Sequence, residues 1–103
     1  MREELKQQVK SDIKNNKVMM YIKGTADAPM CGFSGRVVSV FKEHNVPFKT
    51  ANILEDEELR AEMKEYSDWP TFPQVYINGE FVGGCDIIME LHETGELTKL
   101  LGK

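Results

Sequence analysis

The segment from residue 18 to residue 34 reads VMMYIKGTADAPMCGFS, and it predicts a strand, a loop and the start of a helix. It begins with Val18 to Ile22, a continuous apolar run of the length of a buried strand. It ends just before Val37 to Phe41, where the apolar spacing predicts a helix that continues to about His44. The sequence therefore places Cys31 in a strand–loop–helix junction, on or just before the first helical turn.

A thiol at that position is predicted to be reactive. The first backbone N–H groups of a helix have no intrahelical partner, and the helix dipole puts partial positive charge there. Both effects favour thiolate, which is the nucleophile and the metal ligand. Lys23 adds a cation at the end of the strand. A buried cysteine packed as an apolar side chain is the other interpretation, but a loop containing Pro29 and Gly32 is expected at the surface.

Composition limits the class of protein. The chain has 103 residues, which predicts a single domain over residues 1–103. The contents of 41% apolar and 29% charged residues are typical of a folded globular protein. A net charge of −4 without a basic run argues against nucleic-acid binding. The charged N-terminus leads us to expect no signal peptide, and no apolar run is long enough to span a bilayer.

Two cysteines, Cys31 and Cys85, do not make a disulfide scaffold. They fit a reducing compartment, where an isolated cysteine is more often catalytic or metal-binding. The predicted location is the cytoplasm, or an organelle matrix if a targeting segment has been removed.

The first half of the chain predicts a parallel βαβ unit. An amphipathic helix with Leu5, Val9 and Ile13 on one face precedes the first strand and ends near residue 16. A second strand is predicted over residues 48–53. A strand, a helix and a strand with short links imply a right-handed crossover and two parallel strands.

The second half predicts a helix, a hairpin and two more helices. The acidic residues 55–58 suit the first turn of a helix that turns Leu59, Met63 and Tyr66 inward. Two prolines within residues 67–73 require an extended connection. The strand-like runs 74–77 and 80–82 flank Asn78-Gly79, the strongest short signal for a hairpin with a type I′ turn.

The chain is predicted to end in two helices. Asp86 is the expected N-cap of the first, and residues 97–101 form a short closing helix. The sum is a four-stranded mixed sheet, a parallel βαβ half plus an antiparallel β-hairpin, flanked by about five helices. This is a thioredoxin-like α/β arrangement.

Three segments in this order resemble a known family. They are the Cys31-Gly32-Phe33-Ser34 segment with Lys23-Gly24-Thr25 before it, Trp69-Pro70-Thr71-Phe72-Pro73, and Gly83-Gly84-Cys85-Asp86. Together they resemble the CGFS-type monothiol glutaredoxins over nearly the whole chain from Val18 onward. Ala26 stands where many relatives carry proline, which affects only loop stiffness.

The resemblance implies a glutathione site. Lys23 and Arg60 are the implied partners of the glycyl carboxylate, and Lys64 could reinforce them. Phe72 precedes a proline that the family holds as a cis peptide, so its backbone is expected in an exposed, extended form that pairs with the glutathione cysteinyl backbone. The helix start at Cys85 and Asp86 would bind the γ-glutamyl carboxylate, and the Asp86 carboxylate suits the amine.

Taken singly, parts of this set have ordinary explanations. Asp86 can serve only as an N-cap, and Gly83-Gly84 only as a strand exit. Trp69 is assigned mainly to core packing. His44 and His92 lie on predicted helices without partners at ligand spacing, so we expect them to be solvated.

The function follows from the position of Ser34. Dithiol relatives carry a second cysteine there, and a hydroxyl cannot perform thiol–disulfide exchange. A [2Fe–2S] cluster typically needs four thiolates. Cys31 and one glutathione from each of two chains would supply four, so the first interpretation is a cluster carrier that acts as a homodimer. The resemblance implies delivery to iron–sulfur acceptor proteins, iron homeostasis and BolA-family partners.

Two alternatives remain open at this point. One is a glutathione-dependent disulfide oxidoreductase that removes glutathione from proteins, with Cys31 as nucleophile and an activity expected to be weak. The other is a regulatory interaction module, which would leave the glutathione constellation without a role. The sequence does not decide whether Cys85 can reach Cys31.

Overall fold

The structure is a computed structural model that describes residues 2–103. In this part of the chain the helices are α1 (Glu3–Asn15), α2 (Gly32–Glu43), α3 (Glu57–Ser67), α4 (Cys85–Thr94) and α5 (Glu96–Leu100). The strands are β1 (Val18–Ile22), β2 (Lys49–Asn52), β3 (Gln74–Ile77) and β4 (Glu80–Gly83). The helices and strands predicted from the sequence are therefore present in the predicted order.

The four strands form one mixed sheet in the order β2-β1-β3-β4. β1 and β2 are parallel, with Tyr21 opposite Ala51, and α2 crosses between them. β1 pairs antiparallel with β3, and β3 with β4. Asn78 and Gly79 both have positive φ, 52° and 85°, as a type I′ turn requires. The predicted thioredoxin-like sheet is confirmed.

The apolar run in β1 is continuous because this strand is covered on both faces. Its five residues are each at most 1% exposed. Met20 and Ile22 pack with residues of α2 and α4, such as Phe41 and Ile88. Tyr21 and Met19 pack on the opposite face with α1 and α3 side chains, which include Val9, Ile13 and Met63. A central strand between two helical layers thus anchors the loop that leads to Cys31.

Helix α3 begins two residues later than the acidic run suggests. Asp56 is its N-cap, and the Asp56 carboxylate accepts the N–H groups of Glu58 and Leu59 at 3.0 and 3.3 Å. Of the side chains predicted to turn inward, Met63 is buried, whereas Tyr66 is 43% exposed. The buried stripe of α3 is therefore narrower than predicted, although the Tyr66 ring still contacts the Tyr76 ring, with centroids 6.0 Å apart.

The two histidines meet at the C-terminal ends of α2 and α4. The distance from His44 Nε2 to His92 Nδ1 is 3.0 Å, and both side chains are partly buried. We expected solvated side chains, but each histidine is only partly exposed and contacts the other. They are 48 residues apart, so local spacing along a helix carries no signal of the contact.

A search of the helices within residues 2–103 finds none with the length and apolar character needed to cross a membrane.

Candidate functional site

A cavity of about 610 Å³ opens where the start of α2, the loop before β3 and the start of α4 meet. This volume is in the range of sites that hold small organic ligands. It is lined by Lys23, Cys31, Phe33, Arg60, Trp69, Pro70, Thr71, Phe72, Pro73, Gly84, Cys85, Asp86 and Ile87. The structure therefore brings all six residues of the predicted site together: Lys23, Cys31, Arg60, Phe72, Cys85 and Asp86.

Cys31 is the N-cap residue of α2 and is partly exposed. The pKa of its thiol is lowered, chiefly because the backbone N–H of Ser34, in the first turn of α2, stabilises the thiolate. Partial burial opposes the shift, while the N–H of Phe33, the Ser34 hydroxyl and the charge of Lys23 add to it. The first turn of α2 is thus the main source of the activation, and Lys23 is the smallest contributor.

Ser34 has a structural contact of its own. It is fully buried, and its Oγ accepts the backbone N–H of Lys23 at 3.1 Å. The carbonyl of Lys23 in turn accepts the N–H of Met30 at 2.8 Å. These two bonds tie the end of β1 to the residues on both sides of Cys31. The loop therefore holds the sulfur at the mouth of the cavity.

The Phe72–Pro73 peptide bond is cis, as the resemblance implied. Phe72 is only 7% exposed because its side chain is buried, whereas the prediction concerned its backbone. The ring packs with Met63 and Tyr76 on the α1–α3 side of the sheet. Within residues 2–103 no hydrogen bond uses the backbone N–H or C=O of Phe72. The backbone of this cavity-lining residue can therefore pair with an added peptide.

The start of α4 differs from the prediction. Gly84 is the N-cap, Cys85 is the first helical residue, and no side chain caps this helix. Asp86 lies in the first turn with an exposed side chain, so its predicted capping role is wrong. Glycine is also an accepted N-cap residue, and a side chain at Gly84 would press on Pro73 and Trp69, with its Cβ 3.2 Å from the Pro73 carbonyl oxygen. The helix N–H groups and the Asp86 carboxylate are left available to a ligand.

The two thiols of the cavity differ in character. Cys85 is 8% exposed, and burial raises the pKa of its thiol, against a smaller opposite effect of the Arg36 charge. Cys31 and Cys85 are both free thiols in the structure. The cavity therefore combines one accessible thiol that ionises readily with one buried thiol that does not.

The charges of the cavity are arranged for a ligand with both signs. Lys23 and Arg60 supply cations, and Asp86 supplies an anion. Lys64 lies one turn after Arg60 on α3, is exposed, and does not line the cavity. The structure thus separates two basic residues that the sequence left as neighbours.

Trp69 is a cavity residue that the sequence assigned to packing. Its ring packs on Phe81 with centroids 5.9 Å apart and also forms part of the cavity wall. The buried Nε1 has no hydrogen-bond partner within residues 2–103. The position of Trp69 beside Pro70, inside one of the three segments that resemble the family, was the signal in the sequence for a place in the cavity wall.

Known proteins resemble this chain in sequence and in fold. The family model described as Glutaredoxin matches residues 18–82, the part of the chain from β1 to β4. The chain belongs to the glutaredoxin family. A probable monothiol glutaredoxin 2 of Rickettsia conorii is 55% identical over 93 residues, which cover 90% of this chain and 87% of the relative.

Solved glutaredoxin structures superpose on the whole fold. The solution structure of reduced poplar apo GrxS14 matches with a TM-score of 0.86 and 51% identity, covering 95% of this chain and 90% of the other. A crystal structure described as a buckwheat glutaredoxin–glutathione complex matches with a TM-score of 0.85 and 26% identity, covering 99% of this chain and 94% of the other. The prediction of a glutaredoxin fold with monothiol relatives is confirmed.

Proposed function

We propose that this glutaredoxin binds glutathione and, with it, holds a [2Fe–2S] cluster between two copies of the chain for delivery to acceptor proteins. The observation that carries the proposal is the pairing of one accessible, activated thiol, Cys31, with a buried serine in place of a second thiol. A chain built in this way has one good cluster ligand and no resolving thiol beside it.

The cavity supports glutathione as the ligand. Glutathione carries two carboxylates, an amine and a thiol. Lys23 and Arg60 would hold the glycyl carboxylate by charge-assisted hydrogen bonds. The backbone of Phe72 would pair with the cysteinyl residue in the manner of an added strand. The uncapped start of α4 at Cys85 would bind the γ-glutamyl carboxylate, and Asp86 would bind the amine.

The thiols of the cavity support the ligand count. A [2Fe–2S] cluster takes four thiolates, and a buried thiol with a raised pKa is a poor ligand, which argues against Cys85. Cys31 and one glutathione thiol from each of two chains would make four. Half of the ligands would then be exchangeable, which suits a protein that hands the cluster on. The homodimer, a BolA-family partner and acceptor proteins are predictions that follow from this model.

A second function is favoured by the accessibility of Cys31. A glutathione-dependent oxidoreductase needs an exposed thiolate, which would attack the glutathione sulfur of a mixed disulfide and release the other protein as a thiolate. A second glutathione thiolate would then attack the sulfur of that bound glutathione and release glutathione disulfide and the Cys31 thiolate. Ser34 has a hydroxyl in place of a thiol, and Cys85 is buried with a raised pKa, so neither should supply the thiolate for this step, and the activity should depend on free glutathione.

Both functions require reduced thiols. The cytoplasm or an organelle matrix is therefore retained as the proposed location.

Anaerobic reconstitution with iron, sulfide and glutathione tests the proposal. We expect visible cluster absorption that elutes with a dimer on size exclusion and is absent without glutathione. Cys31→Ser should abolish it, whereas the matched Cys85→Ser variant should retain it. A colourless monomer under all conditions would favour the oxidoreductase, which a glutathione mixed-disulfide assay measures directly.

A further inference from the structure

The histidine pair at the C-terminal ends of α2 and α4 has no role in the function proposed above. His44 Nε2 lies 3.0 Å from His92 Nδ1, and the two rings are inclined by 75°. Helix α2 runs twelve residues from the cavity to this end, about 18 Å at 1.5 Å per residue. The pair therefore lies at the opposite end of α2 and α4 from the cavity.

We propose that His44 and His92 form a binding site for a divalent late first-row transition metal ion such as Ni²⁺, Cu²⁺ or Zn²⁺. Imidazole nitrogen is a preferred ligand of these ions. Metal–nitrogen bonds of about 2.0–2.1 Å in tetrahedral geometry place two ligand nitrogens roughly 3.3 Å apart. The observed separation of 3.0 Å is close to that value, although each ring would have to turn so that its nitrogen points at the ion and not at the other nitrogen.

Glu43 lies on the other side of His92. The distance from His92 Nε2 to Glu43 Oε2 is 3.7 Å. When Nδ1 of His92 binds the ion, its proton must lie on Nε2, and the exposed Glu43 carboxylate would have to move closer to accept a hydrogen bond from it. A carboxylate behind a metal-bound histidine fixes the tautomer and raises the basicity of the ligand. Without metal, one of the two facing nitrogens carries the hydrogen of the His44–His92 hydrogen bond. When the ion binds, this hydrogen must move to the other nitrogen of the same ring.

The surroundings make this an open site of limited affinity. Within residues 2–103 no group of three or more histidine, cysteine, aspartate or glutamate side chains is placed to hold a metal. Two protein ligands would leave the other positions to water. The His92 side chain is 26% exposed, so an ion has access. Lys103, whose ammonium donates to the His44 carbonyl oxygen, is a nearby cation that opposes binding.

Calorimetric titration with Ni²⁺, using protein whose Cys31 has been alkylated, tests the proposal. We expect one ion per chain for the wild type and loss of this binding in His44→Gln and in His92→Gln. Glu43→Gln should weaken binding roughly tenfold, as for other carboxylates behind a ligand histidine. Glu93→Gln, an exposed carboxylate on α4, is the matched control and should change nothing.

Paramagnetic broadening of amide signals by Ni²⁺ locates the site in the wild type without any substitution. Signals near residues 44 and 92 should broaden first, and those of residues 31–34 should not. Broadening centred on the cavity would overturn the proposal. So would wild-type affinity in either histidine variant, or no Ni²⁺ binding at all, which would make the pair a hydrogen bond between helices and nothing more.

Discussion

The hydroxyl oxygen of Ser34 accepts the backbone N–H of Lys23 at 3.1 Å, in a position that is closed to solvent. This bond joins the end of β1 to the first turn of α2, the two elements that hold Cys31 between them. The residue that stands in place of a second thiol therefore has a structural function in this chain. Two consequences can be measured.

Ser34→Ala should lower the free energy of unfolding by about 1–3 kcal/mol. The substitution leaves the backbone N–H of Lys23 without its acceptor beside the fully buried residue 34, and an unsatisfied buried donor costs about that much. Urea denaturation measures the change. Ser39→Ala, at an exposed position of the same helix, is the control and should cost far less. Equal losses in the two variants would show that the Lys23 bond does not stabilise the fold.

The pKa of Cys31 should rise in Ser34→Ala but stay below its ordinary value. The backbone N–H of residue 34 makes the largest contribution to the lowered pKa, and the substitution keeps it, whereas the smaller contribution of the hydroxyl is lost. The pH dependence of Cys31 alkylation measures the shift. A return to the ordinary thiol pKa of about 8.5 would mean that the side chain, not the helix start, activates the thiol.

The two thiols should titrate in opposite directions from the ordinary value. Cys31 has a lowered pKa and Cys85 a raised one. Peptide mapping after brief iodoacetamide treatment should therefore find Cys31 modified well before Cys85, and at lower pH. Denatured protein is the control, because both sites should then react alike. Faster modification of Cys85 in the folded protein would contradict the assignment of Cys31 as the active thiol.

The same shifts predict the pH dependence of stability. A raised pKa in the folded protein means that Cys85 stabilises the fold fully below the ordinary thiol pKa and loses this contribution as pH rises through the folded pKa. Above the ordinary value, the wild type should therefore lose stability relative to Cys85→Ser. Cys31, with a lowered pKa, contributes stability above the ordinary value and loses it as pH falls through the folded pKa. The midpoints of urea unfolding, measured from pH 7 to pH 10, test both predicted contributions to stability.

The sequence predicted the elements because their signals are local. Five apolar residues in β1 show that the strand is covered on both faces, and Asn78-Gly79 determines the hairpin through two positive φ values. The position of Cys31 at a helix start follows from the same strand and the helix after it. Each of these inferences needs only residues that are close together in the sequence.

The sequence failed where a choice depends on distant neighbours. Gly84 and Asp86 are both acceptable N-cap residues, and the sequence does not show that α4 begins directly after Gly84, where Pro73 leaves little room for a side chain. Trp69 has a packing face and a cavity face, which composition cannot separate. The contact of His44 with His92 depends on how α2 packs against α4, and no spacing within either helix encodes it.

Two glycines on either side of Cys31 should respond oppositely to alanine. Gly24 has φ +96°, and an added Cβ would lie 2.6 Å from the Ala28 carbonyl oxygen, so Gly24→Ala should cost about 2–3 kcal/mol. Gly32 opens α2 with nothing within 4 Å of an added Cβ, so Gly32→Ala should be neutral or stabilising by up to about 1 kcal/mol. Thermal unfolding of both variants measures this. Similar losses in the two variants would contradict the close approach of the Ala28 carbonyl to Gly24.

Tyr21 should tolerate the loss of its hydroxyl. The residue is 1% exposed, and its OH has no hydrogen-bond partner within residues 2–103. Tyr21→Phe removes an unsatisfied polar group and keeps the edge-on ring contact with Tyr76, so the free energy of unfolding should stay equal or rise by up to about 1 kcal/mol. Tyr21→Ala, which opens a cavity, should cost about 3–5 kcal/mol. A loss above 1 kcal/mol in the Phe variant would reveal a partner for the hydroxyl.

Arg60 and Lys64 should contribute differently to glutathione binding, although they carry the same charge and lie one turn apart on α3. Arg60 lines the cavity, and Lys64 does not. Arg60→Gln removes a charge-assisted contact of about 1.5–3 kcal/mol and should weaken binding roughly 10–100-fold, whereas Lys64→Gln should leave it nearly unchanged. Trp69 is the only tryptophan in the chain and lines the same cavity, so its fluorescence can follow a glutathione titration. Equal weakening would mean that α3 attracts the ligand only through its overall charge.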